Sequence, residues 1–136
     1  MADAIRTGII GAGWPGTAHA KGYLASGGYK LLAVADLIPS RRREMMDQFK
    51  IPREFATWEE LVNDKELDAV SVCLPTHLHA AATLAALRAG KHVICERPPT
   101  LTAAEAKRID TAAAKAQKVV LYAMQRRFGG PEMAAK

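Results

Sequence analysis

Three short runs of residues in this 136-residue chain combine types and spacings that can do chemistry. The first is Gly11-Ala12-Gly13-Trp14-Pro15-Gly16, a G-x-G-x-x-G pattern, followed by Asp36 at the close of the next apolar run. The second is Pro75-Thr76-His77-Leu78-His79, and the third is Glu96-Arg97-Pro98.

In the first run each glycine has its own task. Gly11 permits a tight turn, Gly13 lets the backbone approach a pyrophosphate, and Gly16 lets the following helix pack closely. Trp14 and Pro15 sit inside the same turn. The N–H groups of the helix start then face phosphates, helped by the helix dipole. The pattern is weak alone and gains weight from lying between a strand and a helix. An acid placed as Asp36 is accepts hydrogen bonds from ribose hydroxyls and repels a 2′-phosphate, which selects NAD. Ser40, Arg41 and Arg42 lie just beyond and offer that phosphate an alternative partner, so NADP stays open.

The other two runs follow apolar segments, and ligands of open α/β sheets bind beyond the carboxyl ends of the strands. Pro75, Thr76, His79, Glu96 and Arg97 are therefore expected on the nicotinamide side of one crevice. His79 is a candidate for proton transfer. Arg97 stays protonated at any working pH, so it can stabilise a developing alkoxide but is a poor acid or base. A packed side chain is the equal alternative for His79, and a helix-start contact is the preferred reading for His77. His19 reads as structural.

These residues need a scaffold, and the rest of the chain supplies one. Apolar runs at Ile5–Gly11, Leu31–Asp36, Phe55–Thr57, Ala69–Leu74, His92–Cys95 and Val119–Ala123 read as strands. Segments of helical period at Pro15–Ser26, Pro39–Lys50, Trp58–Asn63, His77–Ala89 and Thr102–Gln117 separate them. Thr57 with Glu60, and Thr102 with Glu105, have the spacing of capping boxes. The strands are near-continuously apolar, as expected when helices cover both faces. The fold class is α/β, a doubly wound parallel sheet of Rossmann type with strand order 3-2-1-4-5-6. Residues 1–128 form the dinucleotide-binding domain, and residues 129–136 read as a fraying tail or the start of a further domain.

Composition narrows the class. The net charge of +5 has one dense basic cluster, Arg41-Arg42-Arg43, with no interleaved aromatics; it reads as a surface surplus, not as a nucleic-acid site. No apolar run is long enough to span a bilayer, and the start of the chain does not read as a signal peptide; the expected location is the cytoplasm. Cys73 and Cys95 lie in strand-like runs and read as buried thiols, with no metal-ligand spacing.

The words IIGAGWPGTAHA (Ile9–Ala20), DAVSVCLPTHLHA (Asp68–Ala80), LRAGKHVICERP (Leu87–Pro98) and QRRF (Gln125–Phe128) resemble the Gfo/Idh/MocA oxidoreductases. The resemblance implies an N-terminal NAD(P) domain followed by an α+β substrate domain, absent from this chain, through which such proteins associate. It implies hydride transfer on sugars, cyclitols or related polyols. Glu96-Arg97-Pro98 would be the family's E-K-P triplet, whose lysine helps bind substrate and tune proton transfer and whose bond to proline is often cis; here arginine replaces that lysine. Gln125, in QRRF, joins the cofactor-side candidates on the same ground. A standalone nucleotide-binding module without catalysis is the second reading, supported by the chain's length and by Arg97.

Overall fold

The computed structural model describes residues 3–125. Strand and helix alternate as β1 (Ile5–Ile10), α1 (Trp14–Ser26), β2 (Tyr29–Ala35), α2 (Pro39–Phe49), β3 (Arg53–Phe55), α3 (Trp58–Val62), β4 (Ala69–Val72), α4 (Thr76–Arg88), β5 (His92–Cys95), α5 (Ala103–Ala116) and β6 (Val120–Tyr122). The six strands form one sheet in the order β3-β2-β1-β4-β5-β6. Every pairing is parallel, as the alternation of apolar runs and helices predicts. The tail at 129–136 and the domain end at 128 fall outside the described residues.

Side chains alternate across the strands, and the two faces bury separate cores. Ile10, Val70, Val72, Val93 and Cys95 pack with Leu61, Leu84, Leu87 and Ile109 under α3, α4 and α5. Ile9, Leu31 and Val34 pack with Ala20, Tyr23 and Met45 under α1 and α2. Both cysteines are buried and reduced. Burial drives the Cys73 thiol's pKa well above its usual value and that of Cys95 up to about 11, so both remain protonated packing groups.

Local rules set the helix ends. Thr57 and Thr102 each accept the N–H of the glutamate three residues on, and that glutamate's carboxylate accepts the threonine N–H in return. Pro39 stands in the first turn of α2, where its missing N–H costs nothing. Several boundaries differ from the sequence reading by one or two residues, and one strand shifts as a whole. β3 covers Arg53–Phe55 instead of Phe55–Thr57, because Thr57 is taken as the α3 cap. Its charged residues fit an edge strand: Arg53 pairs with Glu66 at 2.9 Å, and Glu54 with Arg42 at 2.6 Å.

Among the described residues no helix is long and apolar enough to cross a membrane, and no group of His, Cys, Asp and Glu is placed to hold a metal ion.

Candidate functional site

The glycine turn lies where β1 passes into α1. Gly11 has φ +97, a conformation side chains rarely adopt, and a Cβ there would run into the Cys73 carbonyl. A Cβ on Gly16 would overlap the carbonyl oxygen of Gly11. These two glycines are required by the protein itself. Gly13 differs: a Cβ there would meet nothing nearer than Pro15 Cδ at 3.9 Å. It caps α1 without any side-chain hydrogen bond, so the first-turn N–H groups of α1 have no side-chain acceptor there. Space, open donors and a helix dipole at one point form a site for an anion.

Asp36, immediately after β2, closes this turn. Its Oδ2 accepts the Ala12 N–H at 2.8 Å and its Oδ1 accepts the Ile38 N–H at 2.9 Å. Each carboxylate oxygen keeps a second lone pair, so ribose hydroxyls can still bind. Two adjoining grooves extend from here. One, of about 270 Å³, lies against Gly13, Trp14, Thr17 and Arg41. The other, of about 560 Å³, runs between Asp36, Leu37, Ile38, Trp58, Pro75 and His77. Leu37 and Trp14 are about four-fifths exposed, at 80% and 77%, giving the rim apolar surface for a planar ring. A larger cavity, about 650 Å³, lies at the opposite, amino end of the strands, lined by Asp68, Lys91 and His92; it is far from the glycine turn.

Of the basic candidates beyond Asp36, Arg41 borders both grooves. Arg42 does not reach them as a ligand: its Nε donates to Glu54 at 2.6 Å and its NH1 to the Asp36 carbonyl at 2.6 Å. That ion pair and carbonyl bond make Arg42 a brace between α2, β2 and β3.

The ends of β4 and β5 lie side by side, the Glu96 N–H donating to the Val72 carbonyl at 2.9 Å. Pro75 and His77 are exposed and Thr76 is half-buried at the start of α4. His79, expected to face the crevice as a proton-transfer group, is 1% exposed. Its Nδ1 lies 2.7 Å from the Pro98 carbonyl and its Nε2 2.6 Å from the Leu74 carbonyl. The packing alternative describes this placement: one helical turn into α4, the ring points at the loops instead of at solvent.

Glu96 is held from the other side. His19, half-buried on α1, places Nε2 2.9 Å from Glu96 Oε1 and Nδ1 2.9 Å from Ser71 Oγ. Ser71 Oγ in turn lies 2.5 Å from the Tyr23 hydroxyl. Burial raises the Tyr23 pKa to about 12, partly opposed by the Ser71 bond. The sequence alone reads His19 as structural and carries no signal at Ser71 or Tyr23. His19 and Tyr23 share one face of α1, and Ser71 joins them only because β4 pairs with β1 beneath that helix, a contact no local pattern encodes.

Arg97 is exposed, and its bond to Pro98 is cis, as the resemblance implies. With the Gln125 amide oxygen turned toward it, that oxygen accepts from Arg97 NH2 at 2.9 Å. Gln125 and Arg97, distant in sequence, thus share one contact at the crevice.

A family model described as the oxidoreductase family with an NAD-binding Rossmann fold matches residues 5–124. The chain is 34% identical over 124 residues to the myo-inositol 2-dehydrogenase of Thermotoga maritima, covering 91% of this chain and 37% of that protein. It is 34% identical over 125 residues to the D-glucoside 3-dehydrogenase of Escherichia coli, covering 91% and 36%. A Synechocystis biliverdin reductase solved with biliverdin and NADP⁺ superposes with a TM-score of 0.89 at 30% identity, over 96% of this chain and 41% of that one. The chain thus spans about two fifths of the proteins it matches.

Proposed function

The chain belongs to the Gfo/Idh/MocA family of oxidoreductases and forms its NAD-binding Rossmann domain, and on that premise we propose that its crevice is the cofactor half of an enzyme transferring a hydride between nicotinamide and a sugar, cyclitol or related polyol. Relatives named inositol 2-dehydrogenase and D-glucoside 3-dehydrogenase support that substrate class.

One observation carries the cofactor assignment. At Gly13 an added Cβ would meet no protein atom within 3.9 Å, while the start of α1 lacks a side-chain cap. The two neighbouring glycines are explained by packing; this one is explained by a ligand. In this reading Gly11, Gly13, Trp14, Pro15 and Gly16 hold the pyrophosphate turn, and Asp36 accepts the adenosine ribose hydroxyls. Arg41 is the residue positioned to meet a 2′-phosphate, which accommodates NADP as a second ligand. Pro75, Thr76, Glu96 and Arg97 border the nicotinamide.

When bound, nicotinamide accepts or gives the hydride. Arg97 holds the substrate oxygen by charge and hydrogen bonding, and stabilises it as an alkoxide. A guanidinium has no lone pair for a proton, so Arg97 performs only the electrostatic half of the family's lysine role. The substrate carbon must also be held about 3–3.5 Å from the nicotinamide. This chain spans 37% of the inositol dehydrogenase it matches, and the described residues supply one wall of the crevice. We therefore expect these 136 residues to bind cofactor without turning over a polyol. Titration with NADH, together with an NADH-absorbance assay over sugars, inositols and sugar acids, tests both halves. Saturable binding without turnover is the expected result, and the absence of binding overturns the reading.

A further inference from the structure

We infer that His19 and His79 are a matched pair of positioning residues, fixing the Glu96-Arg97-Pro98 segment from opposite faces of the sheet. The inference rests on the reading that this segment borders the nicotinamide.

Each histidine spans the same gap. His19 comes from α1, over one core, and joins Ser71 of β4 to Glu96 beyond β5, both contacts at 2.9 Å. His79 comes from α4, over the other core, and joins the Leu74 carbonyl beyond β4 to the Pro98 carbonyl beyond β5, at 2.6 and 2.7 Å. Past the bond from Glu96 N–H to the Val72 carbonyl, no further backbone bond among the described residues ties these two strand ends together. The two rings take over where the ladder stops.

The polarity of the His19 chain follows from its partners. An ionised carboxylate only accepts, so Nε2 donates to Glu96. Nδ1 then accepts from the Ser71 hydroxyl, whose oxygen accepts from Tyr23 O–H. Every polar hydrogen has one acceptor, and all members are buried or half-buried. His79 faces two carbonyls, which also only accept; a neutral imidazole has one N–H, so the ring donates to one loop and packs against the other, and only a doubly protonated ring donates to both. Glu96 is thereby clamped at its side chain and Pro98 at its backbone. Arg97 is the exposed residue between them, and its guanidinium is steadied at 2.9 Å by Gln125. The arrangement aims one charged side chain and leaves both histidines away from the reacting atoms.

The test compares NADH with ADP-ribose, which lacks the nicotinamide ring, as calorimetric ligands of this chain. His19→Leu and His79→Leu are expected to weaken NADH about ten-fold while changing ADP-ribose less than two-fold. His19→Gln, whose amide can donate to Glu96 and accept from Ser71, is expected to restore most of the loss. Ser71→Ala is one atom smaller and spares the fold should a leucine variant unfold; it is expected to weaken NADH selectively by a few-fold. An equal loss for both ligands, or no loss for either, overturns the inference. A wild-type chain that binds ADP-ribose but gains nothing from the nicotinamide ring overturns instead the reading on which it stands.

Discussion

Asp36 Oδ2 accepts the Ala12 N–H at 2.8 Å, locking the acid after β2 onto the turn after β1. The acid proposed to meet the adenosine ribose therefore also shapes the glycine turn. Asp36→Ala is expected to weaken NAD and, relative to it, improve NADP. Asp36→Asn retains one acceptor oxygen and is expected to lose less NAD affinity than alanine. Arg41→Ala is expected to weaken NADP more than NAD, whereas Arg42→Ala, which removes a brace, changes both alike. An unchanged NAD/NADP ratio in Asp36→Ala contradicts the ribose assignment.

Gly16→Ala is expected to destabilise the apo protein by about 1–3 kcal/mol, the range of an overpacked core site, because its Cβ would overlap the Gly11 carbonyl. Chemical denaturation measures this directly. A stability near wild type shows that the turn can shift away from α1.

Tyr23 gives an alkaline signature. Burial raises its pKa from 10 to about 12, so the fold favours the neutral phenol. The associated stability is fully present below pH 10 and is lost as pH rises from 10 to about 12, an effect of roughly 3 kcal/mol. Tyr23→Phe is expected to flatten the fall in stability over that window, at the cost of the Ser71 bond at neutral pH. An unchanged alkaline slope in the variant places the titration elsewhere.

At the acid end, the Arg6 guanidinium beside Asp68 holds that carboxyl down to about 2. Stability from this pair is present above the unfolded carboxyl's ordinary range and is lost as pH falls toward 2. Both side chains are more than a third exposed, so the effect is small and salt-screened. Asp68→Asn is expected to raise the acid-unfolding midpoint slightly at low ionic strength and hardly at all in high salt. A midpoint that stays put at low ionic strength contradicts the pairing.

The sheet order, the parallel pairing and both capping boxes are legible in the sequence because each is a local or periodic signal: apolar runs, Thr-x-x-Glu spacing, glycine after strand. The place of the glycine turn between β1 and α1 is legible for the same reason. The histidines show where this stops. His79 stands next to a motif and so reads as a site residue, yet its depth depends on where α4 meets the Pro98 loop. His19 reads as ordinary helix because its partners Ser71 and Glu96 come from strands far along the chain. Arg42 and Arg41 are neighbours with like charge, and only the position of Glu54 on β3 separates a brace from a groove residue.

Gly13→Val is the most direct measurement, since the space at Gly13 has no occupant in the protein itself. Calorimetric titration of NADH into wild type and variant, beside their apo melting curves, reads binding and folding separately. The expected result is saturable one-to-one binding by wild type, and a loss of that binding in a variant whose melting temperature is nearly unchanged. Equal binding by both proteins, or none by wild type, would contradict the assignment of this turn as the pyrophosphate site.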